Sequence, residues 1–230
     1  MSISFEITAL VFVHIIAAIS WIGAHFFEAF ILHVSLKNVP AKTKCEIYSK
    51  LLFRFNKITG VAATATLYVG VLLASAINFG SVIPVVTTGW GILSTLFAIF
   101  LLIGLLVPLK PKTVSRMFNL ALATASAAGI AALASIALSM ELGTVLSSSW
   151  GVAIVAGALI AIMLLIIGAT QGIKRVQIAI LSSQIIAGQG GEEAISSLEK
   201  IESKMLQMVV PENIVALIII ALMVYAANPF

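Results

Sequence analysis

Residues 11–33 read VFVHIIAAISWIGAHFFEAFILH and hold all three histidines of the chain, His14, His25 and His33, together with Glu28. Imidazole and carboxylate in an apolar segment can ligate a metal, bind haem iron or share a proton. On an α-helix turning about 100° per residue, with His14 at zero, Trp21 falls at about 340°, His25 at about 20° and Glu28 at about 320°. These four share a stripe about 60° wide. His33 falls at about 100° and reads as an interfacial residue that snorkels to the inner surface. His14 and His25 lie about 16 Å apart along the helix axis, so one ion cannot bind both. His25 and Glu28, one turn apart, can share a proton or a metal.

Further donors come from elsewhere in the chain. Met140 and Glu141, in SMELG, complete an outer metal site with His14. Thioether, imidazole and carboxylate together suit copper, with Met favouring Cu(I). The inner site is then His25 with Glu28, and Lys57 or Arg116 can instead neutralise the glutamate. Trp21, Thr64 and Tyr68 line the route between the two sites. Haem b is the other cofactor that fits, with His14 as axial ligand. The lone Cys45 excludes a disulfide framework, and no Walker motif is present.

These residues need membrane helices to position them. The chain is 61% hydrophobic and 10% charged, against about 25% charged for a soluble domain. Its fold class is all-α, a polytopic transmembrane helical bundle. Six segments are long enough to span, at about 7–35, 57–78, 90–109, 118–141, 150–172 and 210–228, designated helices A to F. All 13 basic residues fall between A and B, between C and D, or between E and F. Basic residues stay on the inner side, so both termini face outward. This placement marks topology and argues against nucleic acid as a partner, despite the net charge of +4. The start MSISFE lacks a basic leader region, so helix A reads as retained.

The whole chain, 1–230, reads as a single membrane domain with a four-helix core at 7–140 and a last span at 209–230. Between them, 174–208 forms a cytoplasmic connector broken by GQGG at 188–191. Beyond the break, Ile195, Leu198, Ile201 and Met205 share one face of an amphipathic helix. That helix reads as packing beneath the bundle. Two small-residue stretches, GVAATA at 60–65 and GIAALA at 129–134, each precede a WG dipeptide, a weak internal echo.

HIIAAISWIGAHFFEAFIL, with His14, Trp21 and Gly23, resembles the first helix of the copper-resistance-D-like (CopD) membrane families. It is also similar to the opening of the HemJ type of protoporphyrinogen oxidase. RFNKITGVAATATLYVGVLLA resembles the second helix of these families and SRMFNLALATASAAGIAAL their fourth. The likeness covers residues 7–140 and carries over one position, His14. It implies an inner-membrane (plasma-membrane) protein of copper handling or of haem-dependent redox chemistry. This chain departs from the oxidase pattern after Trp21, where it has Glu28 and no arginine.

Three readings stand at this point. In the first, the protein is embedded in the lipid bilayer and binds or conducts a metal ion, copper, through His14, His25, Glu28, Met140 and Glu141. In the second it is a haem-binding redox enzyme that takes a porphyrin. In the third it is an accessory subunit whose polar stripe pairs within a homo-oligomer or with a membrane-complex partner.

Overall fold

The structure, a computed structural model, describes residues 5–79, 147, 149–189 and 191–227. The described elements are all helical. Helix α1 (Phe5–Phe26) runs into a π-helical segment (Phe27–Leu32) and then into α2 (His33–Leu36). Three long helices follow, α3 (Ala41–Phe79), α4 (Ser149–Ile186) and α5 (Gly191–Ala227). The expected helices C and D lie outside the described residues, and with them Met140, Glu141 and Arg116.

Helix A is found as one rod, 5–36, against the expected 7–35. The long helices extend beyond the expected spans. α3 has 39 residues, about 58 Å at 1.5 Å per residue, nearly twice the hydrocarbon core of a bilayer. Its first four turns occupy what composition reads as a basic loop. They are helical because Cys45, Tyr48 and Leu52 recur at helical spacing and are all buried. α4 likewise continues past the expected end of helix E. Gln171, Arg175, Ile178 and Ser182 form a buried stripe along it.

The break at GQGG is a helix C-cap. Gly188, at φ 73°, lets Gln189 N–H reach the Gln184 carbonyl (2.8 Å) and its own N–H reach that of Ile185 (3.0 Å). This is the Schellman pattern, which needs a residue in the left-handed region. After the turn, the expected connector helix and last span are one continuous helix through Pro211.

Contacts run chiefly between α1 and α3, α3 and α4, and α4 and α5, and α5 closes back onto α1 and the π segment. Two apolar clusters fill the interior. One joins Leu32, Leu36, Cys45, Tyr48, Leu52, Ile178, Leu198 and Met205, so the connector half of α5 packs beneath the bundle. The other joins Trp21, Ala62, Ala63, Leu164, Ala216 and Ile219. At the α3–α4 crossing, a Cβ on Gly172 would stand 2.6 Å from Asn56 Oδ1, so glycine there permits the approach.

Much of the described outer surface is apolar. Phe12, Ile19, Phe30, Ile31, Leu159, Ile166, Ile214 and Leu217 are exposed, while Glu28, Arg175, Glu202 and Glu212 are buried. Among the described residues, two helical stretches, Phe5–Leu36 and Gly191–Leu222, are long and apolar enough to cross a membrane.

Candidate functional site

The π segment decides which side chains of the first rod face inward. His33 N–H bonds to the Glu28 carbonyl, five residues back. A π turn takes one residue more than an α turn, which sets everything after it back by about 100°. His33 therefore moves from about 100° to about 0° and joins the stripe of His25 and Glu28. This corrects the snorkelling reading: His33 is 6% exposed.

Below it, α3 and α5 supply partners. Glu202 accepts from Lys44 Nζ at 2.6 Å and from Tyr48 Oη at 2.6 Å. Because the Tyr48 proton goes to Glu202, His33 Nδ1 must be the donor in its 3.1 Å contact with Tyr48 Oη. His33 Nε2 then faces Glu28 Oε1 at 4.0 Å. Burial pushes the Glu202 carboxyl up, but hydrogen bonds from His33, Lys44 and Tyr48 and the Lys44 charge outweigh it and hold the group at about 2. Burial and the neighbouring Glu202 carboxylate push the Tyr48 phenol up.

Above it, Glu28 is fully buried and grips Arg175 of α4. Arg175 Nε donates to Oε1 at 2.8 Å and to Oε2 at 3.0 Å, and Nη2 donates to Oε2. The guanidinium also lies 5.5 Å from the Phe55 ring centroid, a cation–π distance. Next along, His25 stands between Trp21 and Glu212. The indole N–H of Trp21 donates to His25 Nε2 at 3.1 Å. An indole can only donate, so Nε2 keeps its lone pair and the ring proton belongs on Nδ1. Nδ1 lies 3.3 Å from Glu212 Oε1. Glu212 itself is 3% exposed.

A ladder of ionisable groups results: Lys44, Glu202, Tyr48, His33, Glu28, Arg175, His25 and Glu212. All four long helical rods contribute. Glu202 and Glu212 are ten residues apart on α5, so the ladder climbs about 15 Å. Beside its top lies a cavity of about 20 Å³, walled by His25, Asn56, Thr59, Gly60, Gly168 and Arg175 among others.

Of the residues expected to form the site, His25, Glu28 and Trp21 are brought together. The copper expected at His25 and Glu28 finds no ligand set there. Arg175 engages both oxygens of Glu28, Trp21 occupies His25 Nε2, and a guanidinium beside the pair repels a cation. Among the described residues no group of three or more His, Cys, Asp or Glu is arranged to hold a metal ion. Arg175, rather than Lys57, neutralises Glu28; Lys57 Nζ lies over the Phe53 ring at 5.4 Å. Thr64 donates to the Gly60 carbonyl of its own helix at 2.9 Å, and Tyr68 is half-buried on α3.

His14 stands apart. Its ring packs on α3, where a Cβ on Gly70 would stand 3.1 Å from Cε1. Its Nδ1 is buried with no hydrogen-bond partner among the described residues. Among the described residues, the apolar cluster around Trp21 lies between His14 and the ladder.

Sequence reading missed Arg175, Glu202, Glu212 and the inward turn of His33. Compared with family models, with curated proteins and with solved structures, the chain matches none.

Proposed function

We propose that this chain is a multi-pass protein of a cell membrane that takes up protons from its inner side and carries them toward the middle of the bilayer. The apolar outer surface and the two membrane-length stretches support the membrane setting. The placement of all basic residues in three alternating connections supports six spans with both termini outside. The observation that carries the functional reading is the ladder itself. Buried ionisable groups are expensive in a membrane and mark pathways or proton relays.

The rungs differ in what they can do. Lys44 is 20% exposed and marks the entrance with Glu202. Tyr48 and His33 each have a proton to give and a lone pair to receive one; for a proton arriving at Glu202 to pass through Tyr48 Oη, the His33 ring first gives up its Nδ1 proton and takes its other tautomer, with the lone pair on Nδ1 toward Tyr48 and the proton on Nε2 toward Glu28. Arg175 stays charged and takes no part in transfer. It holds the Glu28 carboxylate and stands beside His25.

The test is proton entry from bulk solution into the purified protein in lipid nanodiscs after a rapid pH jump, read with a pH dye. Tyr48→Phe and His33→Gln are expected to slow entry at least tenfold. Unchanged rates in both variants overturn the relay.

A second reading is favoured by one observation, the unpartnered Nδ1 of His14. It keeps copper or haem at His14, with Met140 and Glu141 as companions for copper. Metal content and the visible spectrum decide it: near-stoichiometric copper, or a Soret band lost in His14→Ala, supports it, and neither signal removes it.

A further inference from the structure

We infer that Glu212 is a proton-loading site, and that the cavity beside it holds the single water molecule through which its proton exchanges. The inference deepens the relay reading by naming where the proton rests. The argument begins with a count of charges. At the top of the ladder two buried carboxylates, Glu28 and Glu212, face one guanidinium, Arg175. Arg175 is committed to Glu28 through three hydrogen bonds. Lys174, the nearest other cation on α4, points its Nζ to the Lys204 carbonyl (3.5 Å) and Met208 Sδ (3.4 Å) at an exposed position. The lower cluster balances itself, Lys44 against Glu202. Among the described residues Glu212 is left without an ion-paired cation, and an isolated buried charge is costly. A proton is the species that cancels it.

The hydrogen-bond directions place that proton. Trp21 fixes His25 as a neutral ring with its proton on Nδ1, which lies 3.3 Å from Glu212 Oε1 without making a hydrogen bond to it. Arg175 Nη2, 3.5 Å from Nδ1, is also a donor and cannot take that proton. His25 is thus a positioning residue, and the exchangeable proton belongs to Glu212. α3 faces this region with Asn56 and Thr59, which do not titrate.

The cavity supplies the route. Its volume of about 20 Å³ exceeds the roughly 10–15 Å³ that one water needs. Gly60 and Gly168 keep it open, and His25, Asn56 and Arg175 offer a water polar partners. Gly168 also borders the carboxyl: a Cβ there would stand 4.0 Å from Glu212 Oε1, the buried oxygen without a hydrogen-bond partner among the described residues. Arg175 in the wall selects a neutral water over a metal cation.

The experiment is pH-titrated infrared difference spectroscopy of the full chain in lipid nanodiscs, reading the carbonyl stretch of protonated carboxyls. One such band is expected in the native protein. It should vanish in Glu212→Gln and move in Glu212→Asp, which keeps the carboxyl if the glutamine variant fails to fold. In Gly168→Ala, whose added methyl meets no clash, it should rise in frequency as the water is displaced. In His25→Gln its titration midpoint should move by at least one pH unit. A band untouched by both changes at Glu212 overturns the loading site, and one untouched by Gly168→Ala overturns the water. A Glu212 band with proton entry that is unchanged in Tyr48→Phe and His33→Gln leaves this inference standing and removes the relay. Proton entry slowed in those variants, without a Glu212 band, does the reverse.

Discussion

His14 and His33 belong to the same helical rod, yet they meet opposite surroundings. His33 lies among Tyr48, Glu202 and Glu28, each itself held by a further partner. His14 meets Gly70 and the Thr66 backbone, and its Nδ1 has no hydrogen-bond partner among the described residues. The contrast extends to the two halves of the bundle. Toward the inner end, apolar packing around Leu52 and Met205 surrounds a network whose fixed charges cancel in pairs. Toward the outer end, alanines, Leu164 and Ile219 pack without a charge among them. Energy in the inner half is tied up in pairings that fail when one partner is removed. The outer half has little to lose from any single polar change.

The sharpest way to break this contrast is Arg175→Ala. It leaves Glu28 buried and uncompensated, and should destabilise the fold by about 3–5 kcal/mol in detergent unfolding followed by circular dichroism. Glu28→Met with Arg175→Met should recover most of the loss; a loss under about 1 kcal/mol in the single variant would dissolve the contrast.

The next effect is acid sensitivity. Glu202 is held at about 2, against 4.5 when unperturbed. A depressed folded-state value contributes stability that is fully present above pH 4.5 and is lost as pH falls from there toward 2. The loss should be on the order of 2 kcal/mol, read as a falling unfolding midpoint, and Glu202→Gln should flatten it. Tyr48→Phe comes third. It strips a donor from Glu202 and an acceptor from His33, and should cost about 1–2 kcal/mol. Smallest is Gly70→Ala in the outer half. Its methyl meets an imidazole that can turn aside, so the midpoint should shift by less than about 1 kcal/mol. A larger loss would mean that His14 is held as firmly as His33.

Much of the first helix was legible. Its apolar length, His25 and Glu28 on one stripe with Trp21, and the burial of those three follow from spacing and from the cost of charge in lipid. The break at GQGG and the packing of Leu198 and Met205 were legible too. The partners were harder for specific reasons. Arg175, in GIKRVQ, served as a mark of topology, although it lies one turn after Gln171 on the buried stripe of α4. Glu212 follows Pro211, and proline with an acid behind it reads as a helix start; the helix instead runs through. Glu202 passed as part of a polar face, yet it lies between Leu198 and Met205 at helical spacing. His33 was beyond reach of a constant 100° step, since nothing in FEAFIL announces a π turn. Helices C and D, and with them Met140 and Glu141, stay as expectations.

The π segment has a consequence for which insertions and deletions the chain tolerates. A rod that bonds His33 N–H to the Glu28 carbonyl carries one residue beyond what an α-helix needs over that interval. Removing the exposed Phe30 should let the interval close as ordinary α-helix with both flanks still in phase, so that His33 and Leu36 keep their places. The same deletion at the exposed Ile16 has no slack to draw on and turns one flank against the other by about 100°. Length variation in this rod should therefore be confined to the short interval between its two inner polar residues.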